Sequence, residues 1–349
     1  MMGTNASPAR RRRMNSNSLL LLITIVLFVV MYAAGCMVYA GKNFHRLQTF
    51  LNILITNAGL ICVTCGMTVV MLTGGIDISV GALIAMESMF LAVGIEQWGM
   101  PAWLLLVLMI AIGVLFGLVQ GYCVGYLGIQ PFIVTMAGMF FARGMTAVIS
   151  TQQISIQSSS LMTTLSTLKL DIPFGIGAYA NKKGILQIPY VRIYVIIALL
   201  VVVASFLILR YTRFGRSIYA VGGNQQSASL MGLNVKATRM KAYVMCSVLC
   251  SIGAICYVLN TMCGTTTQAL GLEMDAISSA VIGGTLLTGG VGNVIGSVFG
   301  VLINGTISSL VKTNGKLISS WANVVTALLL CFFIVLQAVF AKVKKRSHL

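Results

Sequence analysis

The 349-residue chain is 58% apolar and only 8% charged, with a formal net charge of +17. A soluble domain carries roughly 25% charged residues, so this composition excludes an ordinary water-soluble fold and places the chain in a bilayer. The basic excess does not point to nucleic acid, because the Lys and Arg residues flank long apolar runs and no aromatic residues alternate with them to stack bases.

A bilayer crossing needs about 20 apolar residues. Residues 1–18 form a basic segment with arginines at 10–13, and the first span is expected over residues 19–40. Ala33-Ala34-Gly35-Cys36 imitates a lipoprotein cleavage site, but the rest of the chain is equally apolar and this stretch is read as a retained span. Further spans are expected over residues 50–72, 79–97, 102–121, 129–150, 191–210, 241–261, 275–289, 292–311 and 318–341, followed by a basic tail at 342–349. Two long runs are divided in this count, one at residues 121–130, where Gly125, Gly128 and Pro131 interrupt it, and one at Gly289, Gly290 and Gly292. The predicted class is all-α: a polytopic transmembrane helical bundle of about ten spans, forming one membrane domain over residues 19–341.

An even number of spans puts both termini on one side. That side collects the arginines at 10–13, then Arg210, Arg213, Arg216, Lys236, Arg239 and Lys241, and the basic residues of the tail. The other side holds only Lys42, Arg46, Lys169, Lys182, Lys183, Arg192, Lys312 and Lys316. Positive charge accumulates in cytoplasmic loops, so both termini and the loop 211–240 are expected in the cytoplasm and residues 151–190 outside. The outer segment mixes Ser, Thr and Gln with Pro173 and Pro189 and is long for a structureless loop, so it is expected to pack on the outer face or meet a partner. Leu72-Thr73-Gly74-Gly75-Ile76 recurs as Leu287-Thr288-Gly289-Gly290-Val291, and Gly81 as Gly296, which suggests a two-part build.

No catalytic constellation can be assembled. The two histidines, His45 and His348, lie near span ends, and the six carboxylates form no close pair with them. There is no GxxxxGK[ST] phosphate loop, so the chain is not expected to hydrolyse ATP. Cys62 and Cys65 form a CxxC inside a span with no second pair or histidine to complete a metal site, and the nine cysteines lie mostly within apolar runs, against a disulfide framework. Gly290, Gly292 and Gly296 are read as helix packing, not as a dinucleotide fingerprint.

Polar groups within the spans, among them Asn52, Thr56, Asn57, Gln120, Thr135, Asn260 and Asn304, suit the passage of a neutral polar solute. Asp77 and Glu87 keep open an ion-coupled secondary transporter of a small polar solute, whereas a passive channel would need a filter motif that is not found. An ionised Glu87 near mid-membrane costs roughly 2.5 to 3.5 kcal/mol unless it faces water or a partner, so it is expected at a pathway or at an interface between chains. Arg143, at the outward end of the fifth span, reads either as a ligand or gate contact or as a snorkelling anchor. In the loop 211–240, glycines bracket short helix-forming stretches, which fits docking to a soluble partner as well as it fits a positive-inside anchor.

That loop also carries a family likeness. Thr212-Arg213-Phe214-Gly215-Arg216 and Tyr219-Ala220-Val221-Gly222-Gly223-Asn224 resemble the cytoplasmic loop of the ribose-type permeases of ABC sugar importers. Leu72-Thr73-Gly74-Gly75-Ile76-Asp77-Ile78-Ser79-Val80-Gly81 is similar to the same family's most distinctive motif, and Asp275-Ala276-Ile277 with Val281-Ile282-Gly283-Gly284-Thr285 and Gly289-Gly290-Val291-Gly292 to a third. Gly138-Met139-Phe140-Phe141 with Arg143-Gly144, Ser229-Leu230-Met231-Gly232, and Ser319-Ser320-Trp321 resemble the second permease of the family's galactofuranose-importing branch. Glu87 departs from the neutral residue expected at its depth.

The resemblance implies a multi-pass permease of the bacterial inner membrane that moves a monosaccharide, galactofuranose or another simple sugar, from periplasm to cytoplasm without catalysis or cofactor of its own. ATP and Mg would be held by a partner ABC ATPase subunit with two fused nucleotide-binding modules. A periplasmic sugar-binding protein and a second permease chain, either a homologue or another copy, would complete the importer. Coupling to the ATPase would fall to Arg213, Phe214, Gly215, Arg216, Gly222, Gly223, Asn224 and Gly232. Taken together with the polar residues of the spans, the candidates for the pathway or its gate are Gly74, Gly75, Asp77, Glu87, Arg143, Asn57 and Asn304.

Overall fold

The computed structural model describes residues 16–172, 177–180, 186–316, 318 and 320–346. The arginines at 10–13, Pro173, Lys182, Lys183, Ser319 and His348 lie outside the described residues.

The architecture is helical. In chain order the helices are α1 (Ser16–Val38), α2 (Leu47–Leu72), α3 (Val80–Glu96), α4 (Ala102–Gly125), α5 (Pro131–Ile149), α6 (Ser160–Thr167), α7 (Ile193–Tyr211), α8 (Arg213–Gly223), α9 (Gln225–Leu230), α10 (Val235–Thr261), α11 (Leu272–Ile282), α12 (Val294–Asn314) and α13 (Ser320–Arg346). Among the described residues, eight of them, α1, α2, α4, α5, α7, α10, α12 and α13, are long and apolar enough to cross a membrane.

Two expected spans are shorter. α3 has 17 residues and is buried along nearly its whole length, so it lies inside the bundle instead of on its rim. The span expected over residues 275–289 is in fact the 11-residue α11, roughly 16 Å long at 1.5 Å per residue. It stops because Gly284 turns the chain into the left-handed region at φ +90°. Residues 283–293 then continue as non-helical backbone that is largely buried, the setting in which irregular backbone is tolerated at membrane depth. The break expected within 121–130 falls at its far end: α4 runs on to Gly125, and the chain turns at Gly128, φ +69°, before Pro131 opens α5, so Gly121 and Gly125 stay inside the helix. Those glycines do not turn the chain; they pack it.

α10 is the hub, lying against α2, α3 and α4. Gly113, Gly117, Gly121 and Gly125 line one face of α4 at four-residue spacing, each against the α10 backbone or a serine on it. A methyl built on Gly121 would stand 2.7 Å from the Met240 carbonyl oxygen. Small residues at this spacing let backbones approach closely, and in lipid that dispersion contact takes over the role hydrophobic burial has in water. Gly59 and Gly66 of α2 meet α10 at Gly253 and Cys246 in the same way, and Gly296 and Gly300 of α12 meet Gly283 and Ser279 beside α11.

One face of the bundle carries short strands. β1 (Ile154–Ser155) pairs antiparallel with β6 (Cys263–Gly264), β2 (Lys169–Asp171) with β5 (Tyr190–Arg192), and β3 (Tyr179–Ala180) with β4 (Leu186–Gln187). The segment is tied to the helices from below: the Glu96 carboxylate accepts the N–H groups of Gln157 and Ser158 at 2.7 and 2.8 Å, and Gln48 accepts that of Tyr190 at 2.9 Å. Lys42 donates to the last carbonyls of α12, Thr313 and Asn314, on this same face. α8 and α9 lie at the opposite face. There the first turns of α1 pack by Gly284 through Leu20, and Gln337 of α13 donates to the Val281 carbonyl at 3.0 Å.

Candidate functional site

A single residue, Thr212, separates α7 from α8, and its hydroxyl caps α8 by accepting the Gly215 N–H at 3.1 Å. Gly215 allows the turn, since any Cβ there would run into the Leu209 and Ile208 carbonyls. α8 then buries Ile218 and Val221 and carries its last turn under the bundle. Gly222 comes to rest against the Leu72 carbonyl and the Gly290 N–H, where even a methyl group has no room.

Those two groups are bonded to each other. The Gly290 N–H donates to the Leu72 carbonyl at 2.9 Å, so the two copies of Leu-Thr-Gly-Gly touch. A Cβ on Gly289 would lie 2.7 Å from the Gly74 nitrogen, and one on Gly290 the same distance from the Gly223 Cα. The Tyr219 hydroxyl donates to the Gly292 carbonyl at 3.0 Å, and burial pushes its phenol up from the ordinary value, which keeps it a neutral donor. Gly74, Gly222 and Gly223 are thus brought together with the end of α2 and the 283–293 backbone in one junction. Packed interfaces of this kind shift as units, so displacement of α8 must be felt at both repeat copies.

The rest of the loop faces away. Asn224 caps α9 by accepting the Ser227 N–H at 2.9 Å, and Gly232 ends the segment at φ +79° with open space around it. Between them Leu230 is 89% and Met231 69% exposed. Arg213 and Arg216 are exposed, while Phe214 packs on the core.

Gly75, Asp77 and Glu87 belong to the interior. Gly75 makes room for the Tyr243 hydroxyl. Asp77 accepts the N–H and hydroxyl of Ser79 at 3.0 and 2.5 Å, and Gln120 donates to that hydroxyl at 2.9 Å, so the carboxylate stands at the start of α3, where the helix dipole favours an anion. Glu87 is fully buried at the seam of α3 and α10, accepting the Ser251 hydroxyl at 2.6 Å. It lies within the packing of the chain's own helices and not on a free face. Glu87→Ala should therefore lower stability by about 2 to 3 kcal/mol, leaving a void and a Ser251 hydroxyl with only the longer bond to the Ser247 carbonyl at 3.1 Å, while Glu87→Gln, which still offers a carbonyl oxygen, stays within about 1 kcal/mol. Thermal melting of the purified variants is the check, and equal melting of the two would remove the packing role.

Arg143 of α5 holds the turn between α10 and α11. Its guanidinium donates to the carbonyls of Thr266, Gln268 and Ala269 at 3.3, 2.7 and 3.2 Å. The turn contains two non-glycine residues in the left-handed region, Met262 and Ala269, so its shape depends on such outside ties. A lysine ammonium cannot fork onto three carbonyls. Arg143→Lys is expected to lower stability by about 1.5 to 3 kcal/mol with insertion unchanged, and thermal melting equal to that of the wild type would leave Arg143 as an anchor alone.

Asn57 and Asn304 are not joined to these groups. Asn57 bonds its own helix at the Ile53 carbonyl and abuts Gly305, whereas Asn304 donates to Ser278 and Ser279 at 3.1 and 2.8 Å across α11 and α12. Sequence reasoning missed Gly289, Gly290 and Tyr219 as parts of the junction. The recurring Leu-Thr-Gly-Gly was the available signal, but a repeat does not disclose that its copies touch.

A family profile described as "Branched-chain amino acid transport system / permease component" matches residues 49–334. The chain is 39% identical over 314 residues to the inner membrane ABC transporter permease protein YjfF of Escherichia coli (strain K12), with 90% of each covered. It is 36% identical over 313 residues to the fructose import permease protein FruG of Bifidobacterium longum (strain NCC 2705), covering 90% of this chain and 88% of that one. It is 34% identical over 269 residues to the ribose import permease protein RbsC of Escherichia coli (strain K12), covering 76% and 78%. No solved structure matches the chain.

Proposed function

Because the chain belongs to the permease-component family of branched-chain amino acid transport systems, we propose that it is the transmembrane permease subunit of an ABC importer of monosaccharides. The observation that carries the substrate class is the likeness, over nine-tenths of the chain, to a fructose import permease, alongside further relatives named for ribose, xylose and galactose. The protein is a multi-pass protein of the inner membrane.

The finer reading is ten crossings with both termini in the cytoplasm, the two beyond the eight long helices being α3 and α11 continued by the non-helical backbone 283–293. It is supported by the meeting of the basic residues 210–241, the first turns of α1 and the end of α13 at one face. The chain itself performs no catalysis. ATP and Mg are handled by an ATPase subunit with two fused nucleotide-binding modules, docked at α8 and α9. A periplasmic sugar-binding protein delivers to the strand-bearing face, and a second permease chain completes the pathway. Galactofuranose heads the candidate sugars, on the motifs around Gly138, Arg143 and Ser229. A single cysteine placed at Asn224 should react only from the cytoplasm and one at Asn181, outside the described residues, only from the periplasm. Labelling of position 224 from outside would invert the reading.

The functional test is uptake of radiolabelled galactofuranose, fructose, ribose and xylose by cells expressing the complete importer. Uptake should follow the ATP pool and survive collapse of the proton gradient. The opposite dependence would favour the ion-coupled carrier.

A further inference from the structure

At the turn from α7 into α8 a cavity of about 500 Å³ opens between α1, α7, α8 and the residues just before α12. Its walls differ in character. Arg210, Arg216 and Asn293 supply its charged and amide side chains, the bonded pair Tyr219 and Gly292 of the junction lines a further part, and Leu21, Phe206, Leu209 and Val294 form its apolar wall. Beyond them the apolar surface continues, with Leu22 and Val26 exposed on α1 and Val203 and Leu207 on α7. The cavity is therefore a crevice that joins cationic groups to an apolar seam.

The two arginines have little to bond within the chain. Arg216 gives one N–H to the Tyr211 carbonyl at 3.3 Å. Arg210 lies beside the rings of Phe206 and Tyr211 at 5.8 and 5.9 Å and donates to no described residue. All six Asp and Glu side chains belong to described residues, and none of them lines the crevice. Asp77 and Glu87 are buried on serines, Glu96 and Asp171 belong to the strand-bearing face, and Glu273 and Asp275 start α11. Two guanidinium groups with most of their N–H donors open, at a site with no acidic neighbour, call for an anion from outside the chain.

We propose that this crevice binds one anionic glycerophospholipid, with Arg210 and Arg216 on its phosphate and an acyl chain lying along Leu21, Phe206 and Leu209 between α1 and α7. The amphipathic lining is what selects a lipid over other anions: a free phosphate leaves the apolar half unused, and an acidic segment of a soluble partner has no reason to enter it. Basic pockets between membrane helices at this depth are suited to such headgroups. The bound lipid would brace α8 at its first turns, close to the Thr212 cap. It also reassigns Arg216, which faces this crevice and not the exposed tip of α9.

The test is native mass spectrometry of the full-length chain in detergent, titrated with phosphatidylglycerol or with phosphatidylcholine of the same acyl composition. The wild type should retain one phosphatidylglycerol that phosphatidylcholine does not replace. In the Arg210→Gln/Arg216→Gln variant that lipid should bind about thirtyfold more weakly, and in Leu21→Trp, which fills the crevice with both arginines in place, it should also be lost. Lys241→Gln, outside the crevice, should retain it. Equal retention of either lipid by the wild type, or an unchanged adduct in both crevice variants, would overturn the proposal. So would displacement of the lipid by millimolar inorganic phosphate, which marks a free-anion site. Loss of ATPase binding in the double variant with its lipid still in place would mark a protein contact, with the same consequence.

Discussion

Gly222→Val is expected to reduce sugar uptake by on the order of tenfold or more in a chain that still inserts. The reason lies in three backbones. Gly222 fits against the Leu72 carbonyl and the Gly290 N–H, which are hydrogen-bonded at 2.9 Å, so a side chain there can be accommodated only by parting the two repeat copies or lifting α8 away from both. Overpacking of this kind costs about 1 to 3 kcal/mol, and the backbone cannot relieve it as the end of a flexible side chain would. α8 lies at the face of the bundle and contributes nothing to the apolar length of any span, which is why insertion should persist. Gly223→Ala is the matched control, since it adds a methyl to the same helix turn where nothing stands within 4 Å. Uptake and membrane content measured side by side should separate the two variants, and similar activity for both would mean that the junction does not transmit force.

The spans were legible to very different degrees. Long apolar runs located the eight long helices because burial in lipid demands length and hydrophobicity together, and both are written in consecutive residues. Glycines were read with mixed success. Gly128 and Pro131 do divide the run between α4 and α5, but Gly125, also read as a break, ends α4 packed on α10, and composition does not tell a turn from a close approach. At Gly283 and Gly284 the chain does turn, several residues ahead of the glycines that had been chosen to divide the run.

The segment 151–190 was read as too long to be structureless, but its pairings were beyond reach. β1 meets β6 across more than a hundred residues of sequence, and two-residue strands leave no alternation to detect. In the loop 211–240 a glycine-bracketed, helix-forming stretch was legible, and the structure resolves it into the two short helices α8 and α9. Its division of labour became visible only in three dimensions: α8 is held against the bundle, whereas α9 turns an apolar tip outward. Asp77, Glu87, Asn57 and Asn304 had been grouped by polarity, and the structure distributes them over separate helix contacts, since a polar residue in a span is as often bonded to its neighbour as aimed at a pathway.

That apolar tip offers the most direct test. Leu230 and Met231 stand 89% and 69% exposed at the face that bears the basic loop, where the bilayer does not cover them, and exposed apolar groups beside a polar rim mark a contact with another protein. If α9 meets the ATPase and α8 carries the motion to the two repeat copies, then Leu230→Asp/Met231→Asp should disconnect hydrolysis from transport without touching the junction. The measurement is ATP hydrolysis by the complete importer in proteoliposomes, with and without sugar-loaded binding protein. The account predicts that the double variant inserts normally but loses the stimulation by loaded binding protein, on the order of tenfold, as expected for hot-spot residues at the centre of a contact. Stimulation and uptake at wild-type rates would contradict it and leave the basic loop as a membrane anchor.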